Sequence, residues 1–104
     1  MSDEKYTIRI LPTYLADLQE IIYYIRDVLK NKTAAQNFLD KTAKAIEERA
    51  YNPFLFAPYS SRKRREHAYY PIYVGNFIIF YVIIGDVMEV RRLIYNARNI
   101  DNLL

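Results

Sequence analysis

Residues 69–100 read YYPIYVGNFIIFYVIIGDVMEVRRLIYNARNI, and this stretch decides the fold. From Phe77 to Ile84 every residue is apolar or aromatic. Side chains alternate between the two faces of a strand, so a strand here is apolar on both faces. Gly75-Asn76 and Gly85-Asp86 are suited to tight turns. They divide the stretch into strands at 69–74, 77–84 and 87–95, which form a meander.

The chain before this stretch predicts one strand and two helices. Apolar residues alternate over 6–10, and Pro12 then opens a helix whose apolar residues recur at helical spacing up to Leu29. Thr33 and Gln36 match a capping box that starts a second helix, and Asn52-Pro53 ends it. The fold class is therefore α+β: an N-terminal strand, an antiparallel helix hairpin and a three-stranded antiparallel meander, in the order β-α-α-β-β-β.

The second apolar face of the central strand needs a cover. It carries Ile78, Phe80, Val82 and Ile84. Contiguous exposed apolar patches usually mark binding surfaces, so a partner protein or a second copy of the chain is one candidate cover. The alternative is that residues 96–104 fold back over this face.

Composition limits the classes of function. A chain of 104 residues is expected to form a single domain over 1–104, and the absence of cysteine excludes disulfides and thiol catalysis. Two glycines and one histidine, His67, provide neither a phosphate-binding loop nor a histidine pair for a metal, so no cofactor is expected. Residues 1–5 are polar and no apolar run is long enough to span a membrane, so a cytoplasmic protein without a membrane partner is expected.

The positive charge is concentrated in the C-terminal part. Residues 1–61 carry 8 basic and 8 acidic side chains, and residues 62–104 carry 7 and 4. Four of these basic side chains form one run near the single histidine and several tyrosines: Arg62, Lys63, Arg64 and Arg65, followed by His67. Basic residues interleaved with aromatic ones suit single-stranded RNA. A solvated loop or a surface for an acidic protein explains the same run.

A second cluster lies at the end of the last strand. Arg92, Tyr95 and Arg98 offer guanidinium groups for a phosphate and a ring for a base. Regular alternation places Arg91 and Arg92 on opposite faces, with Arg92 on the face of Val90. Arg91 and Arg92 also have a purely structural interpretation as paired arginines, and Glu89 is the expected partner of Arg91.

The chain resembles the RelE/ParE family of toxins from bacterial type II toxin-antitoxin systems, the plasmid-stabilisation type. The similar segments are YTIRILP at 6–12, ADL at 16–18, EI at 20–21, YI at 24–25, AA at 34–35, NP at 52–53, VGNFIIFY at 74–81 and RLIYNARNI at 92–100.

This resemblance implies a growth-inhibiting toxin that is neutralised by a cognate antitoxin, for which Ile78, Phe80, Val82 and Ile84 are the expected binding residues. RelE-like members cleave messenger RNA on the ribosome, and ParE-like members inhibit DNA gyrase. For the first activity the resemblance implies Arg92, Tyr95 and Arg98 as catalytic residues and the 62–65 run with His67 as RNA-binding residues. A ribonuclease that needs no metal is the leading expectation. A gyrase inhibitor without nuclease activity and an inactive binding or repression module are the alternatives.

Overall fold

A computed structural model of the chain describes residues 4–60, 63–96 and 98–104. The elements in chain order are β1 (Thr7–Ile10), α1 (Pro12–Tyr23) with a π-helical turn (Tyr24–Val28), α2 (Lys32–Arg49), β2 (Tyr70–Val74), β3 (Phe77–Ile84), β4 (Val87–Tyr95) and α3 (Ile100–Leu103). The predicted α+β class and element order are confirmed. Within the described ranges, no helix is long and apolar enough to cross a membrane.

The four strands form one sheet in the order β1-β4-β3-β2. The meander pairs are antiparallel, as expected. β1 returns to the sheet beside β4 and runs parallel to it, with Thr7 opposite Val87 and Ile10 opposite Val90. Because β1 ends at Ile10, no strand among the described residues pairs with the rest of β4 on that side.

The start of α2 differs from the predicted capping box. Its N-cap is Asn31, whose Oδ1 accepts the backbone N–H of Ala34 at 2.9 Å. Gln36 donates to Asp40 at 2.9 Å instead of reaching back to Thr33. Asn31 is as good a cap as threonine and lies two residues earlier, so the prediction of Thr33 as the N-cap was wrong.

The main core lies between the helices and one face of the sheet. Its buried members are Tyr14, Ile46, Ala50, Ile72, Val74, Ile79, Tyr81, Met88, Val90 and Leu93. Thus the odd-numbered positions of β3 meet the helix hairpin, and its even-numbered positions face the other way.

The opposite face of the sheet is covered by the chain's own C-terminal segment. Ile78, Phe80 and Ile94 form a second buried cluster with Ile100 of α3, and Leu103 and Leu104 pack against it. Tyr59 and Tyr69 add edge-on ring contacts to Phe80, with ring centroids 5.2 and 6.4 Å away. Of the two covers considered for this face, the structure therefore shows the C-terminal one.

This cover corrects the expectation of an open docking face. Ile78, Phe80 and Val82 are buried, and only Ile84, at 36% exposure, lies near the surface. The reason is that α3 and the loop before β2 supply the apolar side chains that pack on this face, and the sequence alone did not assign them. A partner could reach the buried members only if these segments moved, so antitoxin binding by these four residues stays a prediction.

A β-bulge changes the expected faces of β4. Tyr81 is opposite Val90, whereas Phe80 is opposite Arg92, so Arg91 is an extra residue on β4. An extra residue reverses the alternation of all that follow. Placing Arg92 on the face of Val90 was therefore wrong: Val90 faces the helices, and Arg92 lies on the face of Phe80.

Candidate functional site

A groove of about 920 Å³ runs between the first helix with its π-helical turn and the C-terminal end of β4. Arg92, Tyr95 and Arg98 all line it. The opposite wall is formed by the helical residues Asp17, Glu20, Tyr23, Tyr24, Ile25 and Leu29. The fold thus brings the three predicted catalytic side chains to one concave surface, where they lie among aromatic rings and two carboxylates.

The Arg92 side chain is held by two other parts of the chain. Its Nε and Nη2 donate to the Asp17 carboxylate at 2.8 and 3.2 Å, and its Nη1 donates to the carbonyl of Leu103 in α3. Asp17 also accepts the backbone N–H of Leu93 at 2.9 Å. The hydrogen bond with Asp17 raises the pKa of Arg92, although partial burial opposes that rise. Arg92 therefore joins α1, β4 and α3.

Tyr95 and Arg98 have freer side chains. Tyr95 is 46% exposed, and its ring lies 5.5 Å from that of Phe77. Arg98 is exposed, and its backbone N–H donates to the Tyr95 carbonyl at 3.0 Å. Neither the Tyr95 hydroxyl nor the Arg98 guanidinium has a hydrogen-bond partner among residues 4–60, 63–96 and 98–104. These two polar groups are therefore available to a ligand in the groove.

The basic run lies apart from this groove. Arg62 is outside the described residues, and Lys63 and Arg64 are exposed. Arg65 donates to the Asp101 carbonyl at 3.2 Å and lies 5.2 Å from the centre of the Tyr69 ring. Because Asp101 belongs to α3, Arg65 borders that helix, which Arg92 also contacts through Leu103.

His67 follows the basic run and is not among the described residues that line the groove. Its side chain is partly exposed, and its Nε2 lies 3.9 Å from the carboxylate of the adjacent Glu66. No cluster of three potential metal-binding side chains occurs in the part of the chain that the structure describes.

A row of charged and aromatic side chains crosses the second face of the sheet. Glu89 accepts from Arg91 at 2.8 Å, which confirms the predicted pair, and from Arg9 of β1 at 2.8 Å. Arg91 also donates to the Tyr69 hydroxyl at 3.1 Å. The hydrogen bond from Arg9 lowers the pKa of Glu89 and outweighs the opposing effect of burial.

Sequence reasoning missed Arg9 as a member of this row. It is the polar position of an alternating strand, which signals only that it lies on the outer face. Its partner becomes visible once β1 is placed parallel to β4, with Arg9 opposite Glu89.

Comparison with known proteins agrees with this architecture. The family model of the ParE toxin of the type II toxin-antitoxin system parDE matches residues 8–100. The chain belongs to this RelE/ParE toxin family. A solved structure with a similar fold is the toxin-antitoxin complex RelBE2 from Mycobacterium tuberculosis: the TM-score is 0.57, the sequence identity is 19%, and the match covers 88% of this chain and 99% of that one. No curated protein matches at a significant level.

The family match includes most of the groove. Residues 8–100 contain Asp17, Arg92, Tyr95 and Arg98, and they stop where α3 begins. Of the C-terminal residues that cover the second face, Ile100 lies inside the matched range, and Leu103 and Leu104 lie beyond it.

Proposed function

We propose that this member of the type II toxin family inhibits growth by cutting ribosome-bound messenger RNA at the groove, and that a cognate antitoxin neutralises it. The observation that carries the proposal is the meeting of Arg92, Tyr95 and Arg98 on one concave surface, with the polar ends of Tyr95 and Arg98 unpaired among the described residues. That a protein of this fold was solved in a toxin-antitoxin complex supports the antitoxin partner.

The proposed chemistry uses the RNA's own nucleophile. The ribose 2′-hydroxyl gives up its proton as its oxygen attacks the adjacent phosphorus. The bond to the 5′-oxygen of the next nucleotide breaks, that oxygen takes up a proton, and a 2′,3′-cyclic phosphate remains. Arg98 binds the phosphate and stabilises its developing charge, since a guanidinium can donate two hydrogen bonds to it. Tyr95 stacks on a base or transfers a proton, as its exposed position at the strand end permits. Arg92 acts as a positioning residue because Asp17 and Leu103 already engage it.

Cleavage in an actively translating extract tests this function. Primer extension on a translated message should show breaks that depend on the added toxin. Arg98→Ala should slow cleavage by about 100-fold, the scale of losing one preorganised donor to the transition state. Arg26→Ala is the matched control, because Arg26 is an exposed arginine that does not line the groove. The absence of breaks with the unmodified chain would reject the nuclease proposal.

One observation favours gyrase inhibition as a second candidate. Arg92 is already hydrogen-bonded, so Arg98 is the one unpaired guanidinium among the described groove residues. Phosphodiester cleavage would then have a single free cationic group to bind the phosphate. A toxin that acts by binding needs no such group. Inhibition of supercoiling by purified gyrase, together with an intact message in the translating extract, would establish this alternative. Normal growth on induced expression, with antitoxin binding retained, would indicate an inactive binding module instead.

A further inference from the structure

The outer edge of β4 continues beyond the point where β1 ends. β1 pairs with β4 only as far as Val90. Three contacts place one backbone group of each of three residues on the side away from β3. Thr13 donates to the Arg91 carbonyl, the Leu93 N–H donates to Asp17, and the Tyr95 carbonyl accepts from the Arg98 N–H. In a ladder, both backbone groups of one residue point to the same side. The Leu93 carbonyl and the Tyr95 N–H therefore also face this edge.

These two groups are the part of the edge that lacks a hydrogen bond within the described residues; Tyr95 is 46% exposed, and Leu93, at 3%, shows only a small surface to the groove. Neither has a hydrogen-bond partner among the described residues, and both Leu93 and Tyr95 line the groove. In a parallel pair, one residue of the added strand donates its N–H to a carbonyl of the existing strand. The same residue accepts the N–H that lies two positions later on the existing strand. β1 already pairs with β4 in this orientation. An antiparallel partner would need both backbone groups of Leu93 or of Tyr95, and each residue has one of them occupied.

The walls of the groove suit an extended peptide. Tyr24 and Leu29 are 52% and 55% exposed, and they lie across the groove from Tyr95. Exposed rings and aliphatic side chains around an open strand edge provide pockets for alternate side chains, while the edge supplies backbone hydrogen bonds. Arg98 at the β4 end offers a positive charge to an acidic side chain of the peptide.

We propose that an extended segment of the antitoxin lies in this groove as a short parallel strand beside β4. One of its residues donates its N–H to the Leu93 carbonyl and accepts the Tyr95 N–H. An apolar side chain of the segment packs between Tyr24 and Tyr95, and an acidic one pairs with Arg98. The inference rests on the proposed function, because it assigns the antitoxin to the groove where Tyr95 and Arg98 would act. Neutralisation then follows from direct occupation of those two side chains.

Amide hydrogen exchange by NMR tests the strand pairing, with the protein encoded in the adjacent reading frame as the probe. In the complex, exchange at the Tyr95 amide should slow by at least about tenfold, as expected for a new hydrogen bond. The Tyr73 amide is the matched control. It faces the outer edge of β2, since the Pro71 carbonyl on that edge accepts from Arg49, and Tyr73 is 62% exposed. Protection at Tyr73 without protection at Tyr95 would overturn the inference.

A pair of tyrosine variants tests the groove wall. Tyr24→Ala should weaken the complex by about tenfold, the effect of losing one well-packed aromatic contact. Tyr51→Ala should leave it unchanged, because Tyr51 is similarly exposed, at 55%, but does not line the groove. Binding that is unaffected by Tyr24→Ala and leaves Tyr95 unprotected rejects the groove while the antitoxin partnership stands. Failure of the adjacent protein to bind at all rejects both.

Discussion

Asp17 is the polar group on which the groove end of β4 depends. Its carboxylate accepts two hydrogen bonds from Arg92, at 2.8 and 3.2 Å, and one from the backbone N–H of Leu93 at 2.9 Å. Leu93 is 3% exposed, so its N–H has little access to water. We predict that Asp17→Ala destabilises the fold, because the substitution removes all three hydrogen bonds at once.

The size of the effect follows from what is left unpaired. A buried N–H without a partner costs about 1–3 kcal/mol. The Arg92 side chain is 30% exposed and that of Asp17 20%, so solvent weakens their ion pair and its loss adds about 1 kcal/mol. The free energy of unfolding should therefore fall by about 2–4 kcal/mol in Asp17→Ala. Asp17→Asn keeps an acceptor for Leu93 and should lose about 1 kcal/mol.

Urea denaturation of the purified chain, followed by circular dichroism, measures both variants. Asp27→Ala is the control, since Asp27 pairs with the neighbouring Arg26 on the exposed π-helical turn and should leave the midpoint unchanged. Ordinary surface substitutions change the free energy of unfolding by about 0.5 kcal/mol or less. If the free energy of unfolding of Asp17→Ala lies within that range of the original chain's value, Asp17 does not hold β4 and the reasoning is refuted.

Three further predictions concern separate parts of the fold. The hydrogen bond from Arg9 lowers the pKa of Glu89 in the folded state. The carboxylate therefore contributes stability above about pH 4.3, the ordinary value, and this contribution is lost as the pH falls through the folded-state pKa. The thermal unfolding temperature of Glu89→Gln should thus depend less on pH in the acid range than that of the original chain. Ile100→Ala should cost about 2–3 kcal/mol in urea denaturation, and a loss below about 1 kcal/mol would mean that α3 does not cover the sheet. Asn31→Ala should cost about 1 kcal/mol while Thr33→Ala changes little; the reverse order would restore Thr33 as the cap.

The elements with a strong local signal were predictable from the sequence. The bounds of β3 and β4 agree with the prediction, because the turns at Gly75 and Gly85 limit β3 on both sides and the second of them fixes the start of β4. Both glycines adopt positive φ angles, +57° and +60°, which few other residues tolerate. Pro12 likewise marks the first turn of α1. In each case one or two neighbouring residues determine the conformation.

Features that depend on distant residues were not predictable. The apolar spacing up to Leu29 reads as one continuous α-helix, yet the chain widens into a π-helical turn from Tyr24 to Val28. The bulge at Arg91 cannot be recognised in the apolar pattern of β4, although it moves every later side chain of the strand to the opposite face of the sheet. The helix α3 is four residues long and is defined by its packing on Phe80, which lies about twenty residues earlier in the chain.

The contacts of Arg92 determine how loss of toxicity in variants should be interpreted. Its guanidinium holds Asp17 on one side and the Leu103 carbonyl on the other, so one side chain supports both the groove and the helix that covers the second face. Replacing it disturbs both places, and lost toxicity would follow whether or not it touches RNA. Tyr95 and Arg98 have exposed, unpaired polar groups in the described chain, so replacing them should leave the fold intact. Loss of toxicity without loss of stability at these two positions therefore reports on the site itself.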